Sequence, residues 1–482
     1  MPFTLDNIES THPRYLKLKK RWKLVRDFYE AEVIDKPQVY LSRYKMSEGA
    51  AEYQWRAAEA DYTNHLARII DGFAGLLFSV EGDIQRTLQR SDMEEGLGSL
   101  TDTASVAGKV GRNITGDGTD YPTQWRKAAP LLLVYHQLWG VIRNPSGSSP
   151  QHKIIRPEAV TDLIEDGDGR ITEAKVVEVI QRRRSLLGTV QETRIYTHYR
   201  LDGYTQYALT IGKNGKKKAL DIIEEGDYAF FDDAEKTRRI LPIYRVKLPL
   251  PRYVMWSLAK KAQVIFNKES QRDHILSLAQ MPLFMFDDSG RSDFDTFVEK
   301  RRQGHNVISG TGHEWLTVDS DPAKLASEVL ARKVDELYYT AFQEYSDSAA
   351  QRTATEINQD FTKGIQSFLV LYKNALDEYE NEWLKRLEQT VFPQRSDLWG
   401  QAHVKRSENF NPADIETLLQ RRKDRYFGGK PLPVDDETLA DLTLQMLKED
   451  GVEISEDREE AIRQQVRVFA DQRDQADDID IF

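Results

Sequence analysis

The chain contains no cysteine in 482 residues, which excludes disulfide frameworks, thiolate metal sites and cysteine nucleophiles. It fits a reducing cytoplasm and a fold held without covalent staples. Long apolar runs are missing too. The longest, Ala128 to Tyr135, is interrupted by Pro130 and falls well short of the roughly 20 residues that span a bilayer. No charged-then-apolar leader opens the chain, so neither secretion nor membrane insertion is expected. A surplus of positive charge is also lacking. The net charge is −11, from 67 basic and 78 acidic residues. Residues from Asp435 to Phe482 carry 16 acidic and 5 basic side chains, so the first 434 residues balance at 62 against 62. A sequence-specific duplex binder shows a basic balance where it grips phosphate. The charge therefore argues against tight DNA binding and leaves room for DNA that passes by.

What is present suits a folded protein of about three domains. Apolar residues make up 40% and charged residues 30%, enough to bury a sizeable core. Motifs that carry chemistry are scarce. A phosphate loop needs Gly-Lys followed by Ser or Thr, but Gly108-Lys109 is followed by Val110 and Gly215-Lys216 by Lys217. Asp166-Gly167-Asp168-Gly169 would place Ile164 and Lys175 at calcium-ligand positions, so it reads as a hairpin turn. The nine histidines lack metal spacing, and His313-Glu314 lacks the second histidine of a zinc-protease helix. No Gly-x-Ser-x-Gly elbow occurs. No catalytic residue, metal site or cofactor is expected.

The pattern along the chain predicts an α+β protein, mainly helical. A helix over 6–30 is basic in its first half through Arg14, Lys17, Lys19, Lys20, Arg21, Lys23 and Arg26. That run reads either as a solvated helix face or as a phosphate- or partner-binding patch. A second helix is expected over 48–78, a loop or poorly ordered insertion over 91–120 and a further helix over 122–139. From Lys153 to Leu248, short β-branched and aromatic runs separated by Gly-containing turns predict a small barrel or sandwich. A helix over 252–280 stops at Met281-Pro282. A compact unit follows, with strand 283–286, helix 293–302 and strands 306–309 and 314–318, and then a helix from Asp321-Pro322 to about 345. Thr353 and Glu356 form a capping box before Ile357, Phe361, Ile365, Phe368, Tyr372, Leu376, Tyr379, Trp383, Leu387 and Val391. These recur every three or four residues, the signature of a long helix over 354–391. Three acidic helices are expected beyond Pro393.

This order of elements resembles the portal protein of tailed bacteriophages over nearly the whole chain. His12-Pro13-Arg14-Tyr15 with Trp22 and Asp27, Tyr53-Gln54-Trp55-Arg56, Asn64-His65-Leu66-Ala67-Arg68-Ile69-Ile70-Asp71 with Gly75 and Phe78, and Thr353-Ala354-Thr355-Glu356 are similar to one portal subgroup. The resemblance implies a wing at 1–248 with its β barrel at 153–248, stem helices at 252–280 and 321–345, and a clip at 281–319. It further implies a tunnel loop at 346–353, a long wing-to-crown helix at 354–391 and a crown at 393–482.

By the same resemblance the chain is expected to be non-enzymatic and to form a ring, usually of twelve copies, at one capsid vertex of a virion assembled in the host cytoplasm. Double-stranded DNA would pass through without sequence specificity. Terminase large subunit, a head-tail adaptor, and major capsid and scaffold proteins would be the partners, with no membrane involved. Gln351 and Arg352 in the tunnel loop and Lys260, Lys261, Lys268 and Arg272 on the first stem helix would face the channel. Phe284, Phe286, Phe294 and Phe297 in the clip would anchor contacts between subunits, because a unit of about 40 residues is too small to be stable alone. The residues alone leave two rivals: a nucleic-acid adaptor working through residues 14–26, and a carboxylate hydrolase in the helical part.

Overall fold

The computed structural model describes residues 3–5, 7–43, 48–78, 84–88, 96–100, 105–143, 150–183, 190–211, 217–250, 252–280, 283–287, 307–310, 314–316, 321–343 and 354–406. Side chains of 180–183, 190–192, 211, 217–218, 277–280, 283–287, 307–310, 314–316, 321–323, 342–343 and 354–364 are excepted. The chain divides into two compact units, residues 1–411 and 412–482. The described residues form a mixed helical and sheet fold, and all of them belong to the first unit.

Helix α1 spans Pro13–Tyr29, shorter than the predicted 6–30. Pro13 occupies a first-turn position and His12 Nδ1 accepts from the Arg14 amide at 3.2 Å, which fixes the start. Residues before it serve the β region instead, where Phe3 and Ile8 pack with Tyr196, Tyr207 and Leu209. A short α2 (Pro37–Tyr40) follows. The single helix expected over 48–78 is two helices, α3 (Ala50–Ala58) and α4 (His65–Leu76). Asn64 separates them: its Oδ1 accepts from the Ala67 amide at 2.9 Å while its Nδ2 donates to Tyr29 O at 2.8 Å. Within the expected loop over 91–120 lies α5 (Val106–Arg112), capped by Ser105.

Helix α6 (Tyr121–Tyr135) is capped by Asp120 and ends at His136, whose φ of 60° lies in the left-handed region. The predicted extension to 139 is therefore absent. Residues Gln137–Arg143 form strand β2 instead, in which Leu138, Trp139, Val141 and Ile142 are buried. β3 (Gln151–Ile155) and β11 (Ile243–Lys247) flank β2 on either side, both antiparallel to it. Gly140 in β2 is required by close approach, since a Cβ there would lie 2.4 Å from the Tyr244 ring and 2.9 Å from His152 Nε2.

A second sheet is a meander of β4 (Val160–Glu165), β5 (Ile171–Arg183), β6 (Val190–Arg200), β7 (Gly203–Ile211) and β8 (Lys217–Asp227), in that order. Among the described residues β4 and β8 do not pair, so the closed barrel is replaced by an open sheet. That sheet packs on the three-stranded one through Trp139, Val141, Ile155, Val160, Ala174, Val176, Leu241 and Ile243, the sandwich alternative. β9 (Phe230–Phe231) and β10 (Arg239–Ile240) make a small hairpin.

Helix α7 (Val254–Gln280) leads into a three-stranded sheet of β12 (Leu283–Asp287), β13 (Val307–Gly310) and β14 (Glu314–Leu316). β12 is central, parallel to β13 and antiparallel to β14. A parallel pair needs a crossover, and the helix expected over 293–302 lies outside the described residues. Helix α8 (Asp321–Gln343) returns and packs against α7. Helix α9 covers Ala354–Val391, 38 residues, or about 57 Å at 1.5 Å per residue. From Ile365 to Leu387 the expected stripe is buried, with Tyr372, Leu376, Tyr379 and Trp383 fully inaccessible. α9 is the spine of the unit: Tyr379 OH donates to Trp139 O at 2.8 Å, and Arg386 Nε donates to Leu241 O at 2.9 Å.

After α9 the chain stays with the first unit. β15 (His403–Lys405) pairs antiparallel with β1 (Gln85–Thr87), and the two units divide after Asn411. The capping box at Thr353 and Glu356 and the acidic helices beyond 411 lie outside the described residues.

Candidate functional site

Helix α7 has two unlike sides. Leu258, Ala259, Ala262, Ile265 and Phe266 are buried, whereas Lys260 is exposed and Lys261, Lys268 and Arg272 are half-exposed. At 100° per residue these four cations fall within a sector about 120° wide, so the structure brings them to one side. Their environments differ. Lys260 Nζ reaches only Gln263 Oε1, at 3.4 Å, and Lys268 Nζ donates to Gln271 Oε1 at 3.0 Å. Arg272 is paired with its neighbour Asp273, at 2.6 Å. Lys261 adds to the field that, with a hydrogen bond from Lys333 as the main cause, holds the Glu336 carboxyl on α8 below its ordinary value. Of the four, only Arg272 forms an ion pair among the described residues; Lys261 acts on Glu336 through its field alone, and Lys260 and Lys268 bond only to glutamines.

Phe284 and Phe286 lie two apart on β12, on one face of that central strand, with Phe284 between Val307 and Trp315 and Phe286 opposite Ser309. Phe294, Phe297, Gln351 and Arg352 lie outside the described residues.

Polar braces that no local motif announces hold the paired helices to the rest of the unit. Arg56 on α3 is buried, its Nε 2.8 Å from Glu48 Oε1 and its Nη1 3.1 Å from Ser270 Oγ on α7. His274 on α7 is buried, 3.2 Å from Glu52 and edge-on to Trp55 at 5.3 Å. Glu269 accepts from the Thr63 amide at 3.4 Å, and burial pushes its carboxyl above the ordinary value. On α4, His65 Nδ1 lies 3.1 Å from Tyr338 OH on α8. At the base of α7, Tyr253 OH donates to Val134 O, and Trp22 Nε1 donates to the adjacent Tyr135 O at 3.0 Å. Of the stretches that carry the portal resemblance, Trp55-Arg56 and His65 brace α7 and α8, whereas His12 caps α1, Trp22 bonds to the end of α6 and Asn64 joins α4 to α1. Spacing rules reach a few residues, whereas the Arg56–Ser270 contact spans 214.

Two other buried ionisable groups merit comparison with a catalytic centre. His152 sits among Trp125, Tyr379 and Trp383, bonded to Gln124 and Tyr244 OH at 3.0 Å each. Burial lowers it to about 3, so it stays neutral with both nitrogens occupied. Burial raises Glu388 to about 7, a range suited to proton transfer. Its oxygens, however, are held by the Gly400 and Ala402 amides at 2.6 and 2.7 Å. Among the described residues no group of His, Asp and Glu could hold a metal ion, and no helix is long and apolar enough to cross a membrane. Compared with known proteins, the chain is matched by no family model and by no curated sequence.

Proposed function

We propose that the chain is the subunit of a ring-shaped DNA conduit of the phage portal kind, set at one capsid vertex of a virion. In this reading α7 and α8 are the stem, the β12–β14 sheet is the clip, and 346–353 is the tunnel loop. Residues 1–248 form the wing, α9 runs from wing to crown, and 393–482 supply the crown. The clip docks terminase and later a head-tail adaptor, and capsid and scaffold proteins surround the wing. Packaging energy comes from a separate ATPase, and the chain itself performs no catalysis.

One observation carries the reading. A helix pair enters and leaves a small sheet that cannot be stable alone, and a helix about 57 Å long follows it. Two further features support it. α8 leaves Leu325 62% and Tyr339 47% exposed, apolar area suited to burial against neighbouring copies. The exposed sector of α7 carries scattered cations without a dense cluster, which suits a wall that guides phosphate and does not hold it. The test is electron microscopy of the purified full chain with mass from light scattering. Rings with a central hole and a mass near twelve times 55.6 kDa are expected. A compact closed dimer without a channel overturns the reading.

A further inference from the structure

Two strongly charged, unpaired surfaces lie at opposite edges of the five-stranded sheet. The first is the N-terminal half of α1. Arg14, Lys17, Lys19, Lys20, Arg21 and Lys23 are all exposed, and none forms an ion pair among the described residues. Arg21 lies over the Trp256 ring at 4.8 Å and Lys19 over the Tyr15 ring at 5.4 Å, which leaves Lys17, Lys20 and Lys23, within a sector about 120° wide, as the row that can meet a partner. Arg26 behaves differently, bonded to Asp27 and Glu158. Amid the lysines Leu16 is 55% exposed. This ridge starts beside β4, where the His12 amide donates to Thr161 O at 3.0 Å.

The second surface is β8, the far edge of the sheet, which among the described residues pairs with β7 alone. Residues Asp221 through Glu225 and Asp227 are exposed, so beyond Leu220, which packs on the core, this segment of the strand is uncovered on both faces. Its four acids have no basic partner among the described residues; Glu224 accepts only from Tyr204 OH, and Glu225 from Thr205 Oγ1. Between them Ile222 and Ile223 are 57% and 49% exposed. A register shift leaves Ile223 without an opposite residue on β7. A bulge and a row of acids discourage addition of another strand to an edge, so the surface suits a side-chain partner.

The two surfaces are complementary in sign, in length and in their apolar centres. The cationic ridge runs about 14 Å along α1 and the acidic segment about 20 Å along β8. They cannot satisfy each other within one chain, because four inter-strand spacings, about 19 Å, separate the sheet edges. Two different complementary patches on different faces of one molecule define a head-to-tail contact, the kind that builds a ring when the rotation between neighbours closes. Resting on the ring reading above, we infer that the α1 ridge of each copy docks on the β8 edge of the next.

The experiment uses the full chain at about 0.1 M salt, with light scattering across concentration and microscopy of the assemblies. Chain one carries Lys17→Glu, Lys20→Glu and Lys23→Glu; chain two carries Asp221→Lys, Glu224→Lys and Glu225→Lys. Each alone is expected to need at least tenfold more protein to assemble. Mixed in equal amounts, each offers the charge the other requires, and alternating rings are expected within threefold of the parent's concentration. Where a triple variant melts below the parent, the single changes Lys20→Glu and Glu225→Lys carry the same comparison with an expected threefold effect.

Variants that assemble like the parent overturn the inference and leave the ring reading standing, as does a mixture of folded variants that stays unassembled. A parent chain that forms no ring overturns the ring reading itself. Steeply salt-dependent DNA binding lost in the α1 variant, with assembly unchanged, assigns the ridge to phosphate and overturns the proposed contact.

Discussion

The middle of α9 and the length of α8 are both amphipathic helices, yet one is finished within the chain and the other is not. Around α9, apolar and charged groups alike find partners. Tyr372, Leu376, Tyr379 and Trp383 are fully buried, and Arg406 is held by Asp377 and Glu380 at 2.5 Å each. Among the described side chains of α8 only Leu330, Leu337 and Ala341 are buried, while Leu325, Val329 and Tyr339 are exposed. The contrast teaches that the stability of this unit is set where the long helix meets β2, β11 and α6. The paired helices form a surface whose apolar area is available to neighbours.

The sharpest way to break that contrast is to remove Arg406. It is buried between Asp377 and Glu380, with Arg86 a further 3.3 Å from Glu380 and Lys373 3.7 Å from Asp377. Truncation leaves carboxylates buried with too little compensating charge, a change that costs about 3–5 kcal/mol. Arg406→Ala should therefore lower the urea midpoint more than any substitution on α8, and a midpoint within experimental error of the parent would sink the claim that this cluster anchors β15.

A matched pair of leucines measures the same contrast by packing alone. Leu376→Ala empties a fully buried site and should cost about 2–5 kcal/mol. Leu325→Ala on α8, at 62% exposure, should cost the separate subunit less than about 0.5 kcal/mol and weaken assembly instead. Equal losses in urea would show that α8 is no less complete than α9.

His152 gives the contrast a pH dependence. Burial holds it at about 3 against about 6.5 for an unfolded histidine. The unfolded chain then binds the extra proton, so the stabilising contribution is full above pH 6.5 and is lost progressively as pH falls toward 3. Between pH 7 and pH 5 this site should remove about 2 kcal/mol. His152→Gln, which keeps donors and acceptors for Gln124 and Tyr244, should cost stability at pH 7, with the gap to the parent narrowing at pH 5. A constant gap in urea midpoints would contradict the buried neutral histidine.

Periodic elements were legible in the sequence because their signal is local. The stripe from Ile365 to Leu387, the start of α9 at Ala354, and the strands around Val176, Tyr196 and Tyr207 all follow from spacing and residue type. What spacing misses is tertiary. Leu138 and Trp139 read as the end of a helix until β3 and β11 flank them, and the break at Asn64 depends on its bond to Tyr29 O. Val404 and Arg406 join the first unit through tertiary contacts, the pairing of β15 with β1 and the hold of Asn381, Asp377 and Glu380 on α9. Of the candidate site, the placement of Lys260, Lys261, Lys268 and Arg272 on one side of α7 is helix geometry and could be read. The capture of Arg272 by Asp273 and the braces through Arg56 and His65 required the fold.

The smallest expected effect on stability falls on the surface proposed to meet DNA. Lys260 and Lys268 are solvent-accessible and bond only to neighbouring glutamines, so Lys260→Glu with Lys268→Glu should shift the urea midpoint by less than about 0.5 kcal/mol. If both meet phosphate, assembled rings should lose two neutralised phosphates for every subunit that touches the duplex. The slope of log affinity against log salt would then flatten by about two per contacting subunit. An unchanged slope with intact rings would turn this side of α7 outward and leave guidance of DNA to other residues. A flattened slope with unchanged stability would separate the two helices by role, α9 holding the subunit together and α7 meeting what passes through it.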